Sequence, residues 1–274
     1  MAVTQAKKIQ YAERIKEYKQ KIDQIESSIK EIEKNINANK DVAAYGKVTI
    51  ANHYLNKISI YCTMSDISLE LLGIKNEGFL NDGRKDCYKM LSILEEIVGT
   101  DIDTPFSESE NRITSLQQLD DIRKYNFLKK LGYTVATVEE KFGVNSKWKW
   151  SFVDLAGEVA VVTKNMTDFK SIQSQMDPRI EGFNERMNLM RLIKENLKNA
   201  ADRYRQKYEM VSHEPSEMKK AILYLSALMR VNILFSEGDE SQNTKKTMAI
   251  WQEKLDNDLK DIEEKEKKEK TAKK

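Results

Sequence analysis

The residues of this chain that could do metal chemistry are few and far apart. Its two histidines, His53 and His213, have no second His, Cys or carboxylate at a spacing typical of a metal site. The only paired aspartates on a predicted helix, Asp120 and Asp121, are followed by Ile-Arg-Lys. The magnesium-binding helices of isoprenoid enzymes need a further aspartate along the turn. The pattern therefore favours a solvated helix face, and we predict no bound metal.

Glycine-rich and nucleophile motifs are missing as well. The sequence contains neither a Walker loop nor a Gly-x-Gly-x-x-Gly fingerprint, and no Gly-x-Ser-x-Gly elbow occurs. We therefore predict a protein that is not an enzyme, with no catalytic residue and no cofactor. A helical enzyme that brings carboxylates together from separate helices stays a distant alternative.

The segment Lys147-Trp-Lys-Trp-Ser-Phe152 is the strongest local irregularity. Tryptophan beside lysine suits a protein contact or a membrane interface. Helical spacing places Trp148 on a buried stripe, whereas Trp150 points elsewhere, so we predict Trp150 as an exposed anchor. Acidic side chains later on the same helix argue against deep binding to anionic lipid.

The two cysteines, Cys62 and Cys87, stand in apolar helical surroundings. We predict that both are reduced and buried, where cysteine behaves as a small hydrophobic residue. A disulfide between them is the alternative and would need an oxidising compartment.

Most of the information lies in the helices that must position these residues. Apolar side chains recur in steps of three and four, which places them on one stripe of a helix. We name the first such series the isoleucine seam: Ile15, Tyr18, Ile22, Ile25, Ile29, Ile32 and Ile36. Similar series begin near residues 44 and 148. The sequence predicts an all-α fold, an elongated bundle of about seven to nine long helices with coiled-coil-like packing.

Glycine, proline and capping residues predict where several helices begin and end. We expect one helix to stop near Gly132 and a brief helix to end at Gly143, with a strand as the alternative over residues 134–138. A capping box at residues 107–110 predicts a helix start. A long helix is expected from Asn145 or Ser146 to about Met176.

Charge and composition exclude some classes of protein. The 46 basic and 44 acidic residues are interleaved and give a net charge of +2, so nucleic acid is an unlikely partner. With 40% apolar and 33% charged residues, the balance suits an elongated helical protein. The richness in Lys, Ile and Asn suggests a bacterial source.

Membrane spanning and export are not indicated. The longest nearly apolar run, residues 221–235, is shorter than the about twenty residues that cross a bilayer. The N-terminus shows no signal peptide. We therefore predict a cytoplasmic protein, or a periplasmic one if the given N-terminus is already processed.

The predicted organisation has three parts. Residues 1–40 form a coiled-coil-like helix, residues 41–240 a central bundle, and residues 241–274 a final helix with a charged tail. We predict a non-catalytic structural or adaptor protein that self-associates or binds a protein partner through the isoleucine seam and Trp150. The alternative is a peripheral membrane-surface binder that uses Trp150 and the flanking lysines.

Overall fold

The chain is described here from a computed structural model. It covers residues 3–39, 43–105, 112 and 114–272, with the backbone alone for 265–272. Within these ranges it forms nine α-helices and one π-helix, without a strand, which confirms the predicted all-α bundle and its number of helices. The α-helices are α1 (Gln5–Ala38), α2 (Ala43–Leu72), α3 (Glu77–Val98), α4 (Asp121–Phe142), α5 (Ser151–Asn165), α6 (Phe169–Ser174), α7 (Phe183–Lys207), α8 (Pro215–Leu234) and α9 (Gly238–Ala272), and the π-helix is Tyr208–Ser212.

The chain divides into two compact units. The first comprises Met1–Thr100 with Phe106–Leu189, and the second comprises Asp101–Pro105 with Met190–Lys274. The first helix therefore belongs to the same unit as α2 to α6. The three-part division expected from the sequence stays a prediction.

The first two helices form an antiparallel hairpin. Arg14 near the start of α1 pairs with Glu70 near the end of α2, at 3.4 Å between Nη1 and Oε2. At the other end of the hairpin, Ile36 lies against Gly46. The third helix packs along α2. Because α2 lies between two neighbours, its buried residues are not confined to one stripe.

The fourth helix continues through Gly132, so the predicted helix end there is wrong. A Cβ at Gly132 would lie 3.9 Å from Val159 of α5, which is an ordinary van der Waals distance, and the helix passes this glycine without a break. Thr134, Val135 and Val138 are buried on the same helix, which also excludes the alternative strand. The helix ends at Gly143, where φ is +85°.

The predicted long helix from residue 146 to 176 is two helices, α5 and α6. Asp168 begins the second of them by accepting a hydrogen bond from the Ser171 backbone N–H at 3.0 Å. The apolar series that begins near residue 148 continues through Val159 and Met166 to Phe169, so the spacing gives no sign of the break. The predicted capping box at residues 107–110 lies outside the described residues.

The second unit contains most of α7 with the π-helix, α8 and α9. Tyr204 and Tyr224 stack with ring centroids 5.5 Å apart, and this stack joins α7 to α8. Trp251 and Leu255 bury one face of α9. No helix among the described residues has the length and apolar character to cross a membrane.

Candidate functional site

The isoleucine seam packs against the chain's own α2. Ile15 and Ile22 form one apolar cluster with Met64, Ile67 and Leu71, and Tyr18 packs against it. The side chains are not equally covered. Ile15, Ile22 and Ile29 are buried, whereas Tyr18, Ile25, Ile32 and Ile36 are half-buried. The seam therefore stabilises the hairpin and also retains accessible apolar surface.

A glycine allows the closest approach in this hairpin. A Cβ at Gly46 would lie 2.7 Å from Ile36 Cγ1, which is inside van der Waals contact. Ile32 lies against the same position at 3.6 Å. The C-terminal part of the seam is thus held close to the start of α2.

A buried charge cluster, which the sequence analysis missed, joins the first three helices. Lys57 of α2 is only 5% exposed. Its Nζ lies 2.7 Å from Glu26 Oε1 on α1 and 3.0 Å from Asp86 Oδ2 on α3. Burial by itself lowers the pKa of Lys57, but its contacts with Glu26 and Asp86 outweigh burial and raise that pKa above its usual range.

The tryptophan segment lies at the start of α5 and is tied to α3. Both Trp148 and Trp150 are half-buried. The Arg84 guanidinium of α3 lies 3.9 Å from the Trp148 ring centroid and also donates to Ser151 Oγ at 3.0 Å. The Lys149 ammonium lies 4.8 Å from the Trp150 ring centroid. Trp150 is the N-cap of α5, whereas the isoleucine seam lies on α1.

The first unit also contains a cavity of about 440 Å³. It is bordered by the residues before α4, the first turn of α4, the short helix α6 and the start of α7. Its lining consists of Leu116, Gln117, Leu119, Asp120, Asp121, Ile122, Lys124, Asp168, Ser171, Gln175, Glu181, Gly182 and Arg186. Two cations within this lining, Lys124 and Arg186, are 4% and 2% exposed.

The two cations of the cavity have different surroundings. Arg186 Nη1 lies 3.3 Å from Asp121 Oδ2, and its Nη2 donates to the Glu181 backbone carbonyl at 2.9 Å. Lys124 makes no side-chain hydrogen bond or ion pair with any residue that the structure describes. Burial lowers the pKa of Lys124, although Asp121, Asp168 and Asp120 act in the opposite direction.

The paired aspartates have structural partners. Asp120 begins α4 by accepting a hydrogen bond from the Arg123 backbone N–H at 2.7 Å, and Asp121 pairs with Arg186. Sequence analysis placed both on a solvated face and missed the cavity. The nearest signal was Lys124, one turn into α4, in the apolar stripe with Leu128 and Leu131.

The histidines and cysteines are separate from this cavity. His213 follows the π-helix with φ of +50°, and its ring centroid lies 6.4 Å from that of Tyr208. Tyr208 donates to Asp258 Oδ2 at 2.6 Å, and its pKa is raised to about 12 by burial and by this carboxylate. Cys62 and Cys87 are free and buried, and burial raises the pKa of both thiols.

The fold and these sites define a helical protein with an N-terminal antiparallel hairpin and a cavity lined by residues of α4, α6 and α7. The chain belongs to the TP0443 family, whose model matches residues 7–259. Among curated proteins, none matches this chain.

Proposed function

We propose that this protein is a non-catalytic structural or adaptor protein that self-associates or assembles with a protein partner through amphipathic helices. A scaffold role, coiled-coil packing, an oligomeric state, a cytoplasmic location and a bacterial source are parts of the same proposal. The observation that carries it is the partial cover of the isoleucine seam.

Partial cover follows from the arrangement of the hairpin. Within the first unit, α2 is the one described helix that packs along α1. Ile25 and Ile32 are left half-buried. A second helix laid along the same stripe would remove this surface from water, at about 25 cal/mol per Å² of apolar area.

The test compares two substitutions on neighbouring residues of α1. Ile25→Lys places a charge on the half-buried stripe, and Gln24→Lys places the same residue on the exposed face. Size-exclusion chromatography with light scattering then measures the mass. We expect the wild-type chain and Gln24→Lys to exceed the monomer mass of 31.8 kDa, and Ile25→Lys to fall to it.

A monomeric wild-type chain would contradict self-association and leave assembly with a different protein. Assembly with a different protein is tested by cross-linking in cell extracts. The wild type, Gln24→Lys and Ile25→Lys each serve as the bait. We expect a protein that the wild type and Gln24→Lys retain and Ile25→Lys loses. Equal retention by all three would contradict the role of the seam.

The second candidate is binding to a membrane surface through Trp150. It is favoured by the ammonium of Lys149 beside a half-buried indole ring, since both groups suit a membrane interface. The test is co-sedimentation with anionic vesicles, comparing the wild type with Trp150→Ala. Less sedimentation of the variant supports this candidate, and equal absence of sedimentation contradicts it.

A further inference from the structure

We propose that the cavity at the start of α4 binds a small monocarboxylate, whose oxygens accept hydrogen bonds from the Lys124 ammonium and from Arg186 Nε. This inference concerns a small-molecule site in the first unit. It goes beyond the proposed role of the helices in assembly and is independent of it.

Two donors in the cavity lining lack acceptors, and one of them is a buried atom. The Lys124 side chain is 4% exposed, and its ammonium has no hydrogen bond or ion pair within the part of the chain that the structure describes. Arg186 is 2% exposed, and its buried Nε has no acceptor among the described residues. A buried donor without an acceptor, as at Arg186 Nε, costs about 1–3 kcal/mol. Acceptor oxygens of a ligand would remove this penalty and would give the Lys124 ammonium a partner.

Three of the four acidic side chains of the lining, those of the aspartates, already have donors, and the fourth, Glu181, is exposed. Asp120 accepts from the Arg123 backbone N–H at 2.7 Å, and Asp168 accepts from the Ser171 backbone N–H at 3.0 Å. Asp121 pairs with Arg186. In the described ranges, no group of three or more His, Cys, Asp or Glu residues is arranged to hold a metal ion. Among the buried side chains of the lining, the groups without a partner are therefore donors, which favours an acceptor over a cation.

The charge and volume of the cavity suit a small ligand with a single negative charge. Asp120, Asp121, Asp168 and Glu181 would repel a doubly charged phosphate more strongly than a single carboxylate. A carboxylate gains charge-assisted hydrogen bonds from an ammonium and a guanidinium, which are stronger than neutral ones. A volume of about 440 Å³ falls in the range of small-molecule pockets.

The experiment attaches a small carboxylate covalently to Lys124 of the intact chain. The probe is glyoxylate, a small aldehyde that carries one carboxylate, together with cyanoborohydride. The Lys124 amine attacks the aldehyde carbon and water leaves, so that an imine forms. Hydride from cyanoborohydride then reduces the imine to a stable secondary amine, which peptide mass spectrometry locates.

Lys130 provides the matched control within the same protein. It lies on α4 too, and burial also lowers its pKa. Its ammonium donates to Asn52 Oδ1 at 3.1 Å and to Asn56 Oδ1 at 2.8 Å, and Lys130 does not line the cavity. Glycolaldehyde, an aldehyde of similar size without charge, provides the matched control for the probe.

We expect glyoxylate to modify Lys124 about tenfold faster than Lys130. A tenfold preference corresponds to about 1.4 kcal/mol of binding free energy. With glycolaldehyde the two rates should be similar. Excess acetate should slow the modification of Lys124 by glyoxylate and leave that of Lys130 unchanged.

Three results would overturn the proposal. The first is equal modification of Lys124 and Lys130 by glyoxylate. The second is the same preference for Lys124 with glycolaldehyde, because the carboxylate would then play no part. The third is competition by inorganic phosphate as strong as that by acetate, which would exclude selection of a monocarboxylate.

Discussion

Lys57 and Lys124 are buried to the same degree, but their pKa values are shifted in opposite directions. They are 5% and 4% exposed. The pKa of Lys57 is raised, because Glu26 and Asp86 contact its ammonium. The pKa of Lys124 is lowered by burial, because the nearby aspartates do not contact it. Burial disfavours the charged form of both lysines. Whether the pKa ends above or below its ordinary value depends on carboxylates in direct contact with the ammonium.

The Lys57 ammonium therefore has a structural role, whereas the Lys124 ammonium is available to a ligand. Lys57 joins three helices and has its acceptors inside the fold. Lys124 faces a cavity, and the acids around it serve helix ends and Arg186. Substitutions at the two lysines and their neighbours test this distinction.

The largest effect is expected for Lys57→Met. It leaves Asp86, whose side chain is 4% exposed, without its buried cation. Removing one member of a buried pair costs about 3–5 kcal/mol, and urea unfolding should show that loss. Lys89→Met is the control, because Lys89 contacts the same carboxylate at 3.3 Å from an exposed position and should cost less than about 1 kcal/mol. Equal losses would contradict the structural role of Lys57.

A smaller loss is expected for Ile22→Ala in the isoleucine seam. Ile22 is 7% exposed and packs in the cluster with Met64 and Ile67. The truncation leaves a cavity in the hairpin and should lower the free energy of unfolding by about 2–4 kcal/mol. Ile9→Ala removes the same atoms from a residue that is 52% exposed and should cost far less. Similar losses at both positions would argue against the hairpin contact.

Lys124→Met is expected to act in the opposite direction. It removes the ammonium of a largely buried side chain that has no contact partner in the described structure, so the free energy of unfolding at neutral pH should rise by about 1 kcal/mol. Lys130→Met should not stabilise, since it breaks the hydrogen bonds to Asn52 and Asn56. A loss of stability in Lys124→Met would mean that the ammonium has a partner inside the fold.

The gain from Lys124→Met should also depend on pH. The folded-state pKa of Lys124 lies below its ordinary value of 10.5, so between the two values the unfolded chain binds more protons than the folded one. The stability of the wild type therefore rises with pH in that window. The difference between the wild type and Lys124→Met should shrink as pH approaches 10.5, as followed by urea unfolding at several pH values.

The smallest effect is expected for Glu26→Gln at acid pH. Its hydrogen bond with Lys57 lowers the pKa of Glu26 below the ordinary value of 4.5. Glu26 therefore contributes stability above pH 4.5, and that contribution is lost as pH falls through the folded-state pKa. The variant should lose less stability than the wild type on acidification. The difference should be a few tenths of a kcal/mol, because the Glu26 side chain is half-exposed. Identical acid profiles would contradict the contact.

The helices could be predicted where one face is buried and the other is solvated. The isoleucine seam illustrates this, since α1 carries it from Ile15 to Ile36 in one unbroken helix. The break between α5 and α6 could not be predicted in this way. The apolar series continues across the break from Val162 and Met166 to Phe169, so helical spacing alone predicts a single helix there.

The cavity could not be predicted from the sequence for a related reason. Lys124 and Arg186 are distant along the chain and meet only because α4 and α7 both border the cavity. Asp120 and Asp121 were recognised as a pair, but their roles at a helix start and beside an arginine depend on neighbours that folding supplies.

The sequence by itself determined the all-α class, because a spacing of three and four residues leaves a stripe that only helix packing can bury. It also determined which face of α1 is apolar. Only the tertiary structure decided that α2 covers this face, that Lys57 contacts two carboxylates and that Lys124 contacts none among the described residues. These contacts join segments that are distant along the chain. The spacing of residues within one helix does not determine which side chains from other helices will contact it.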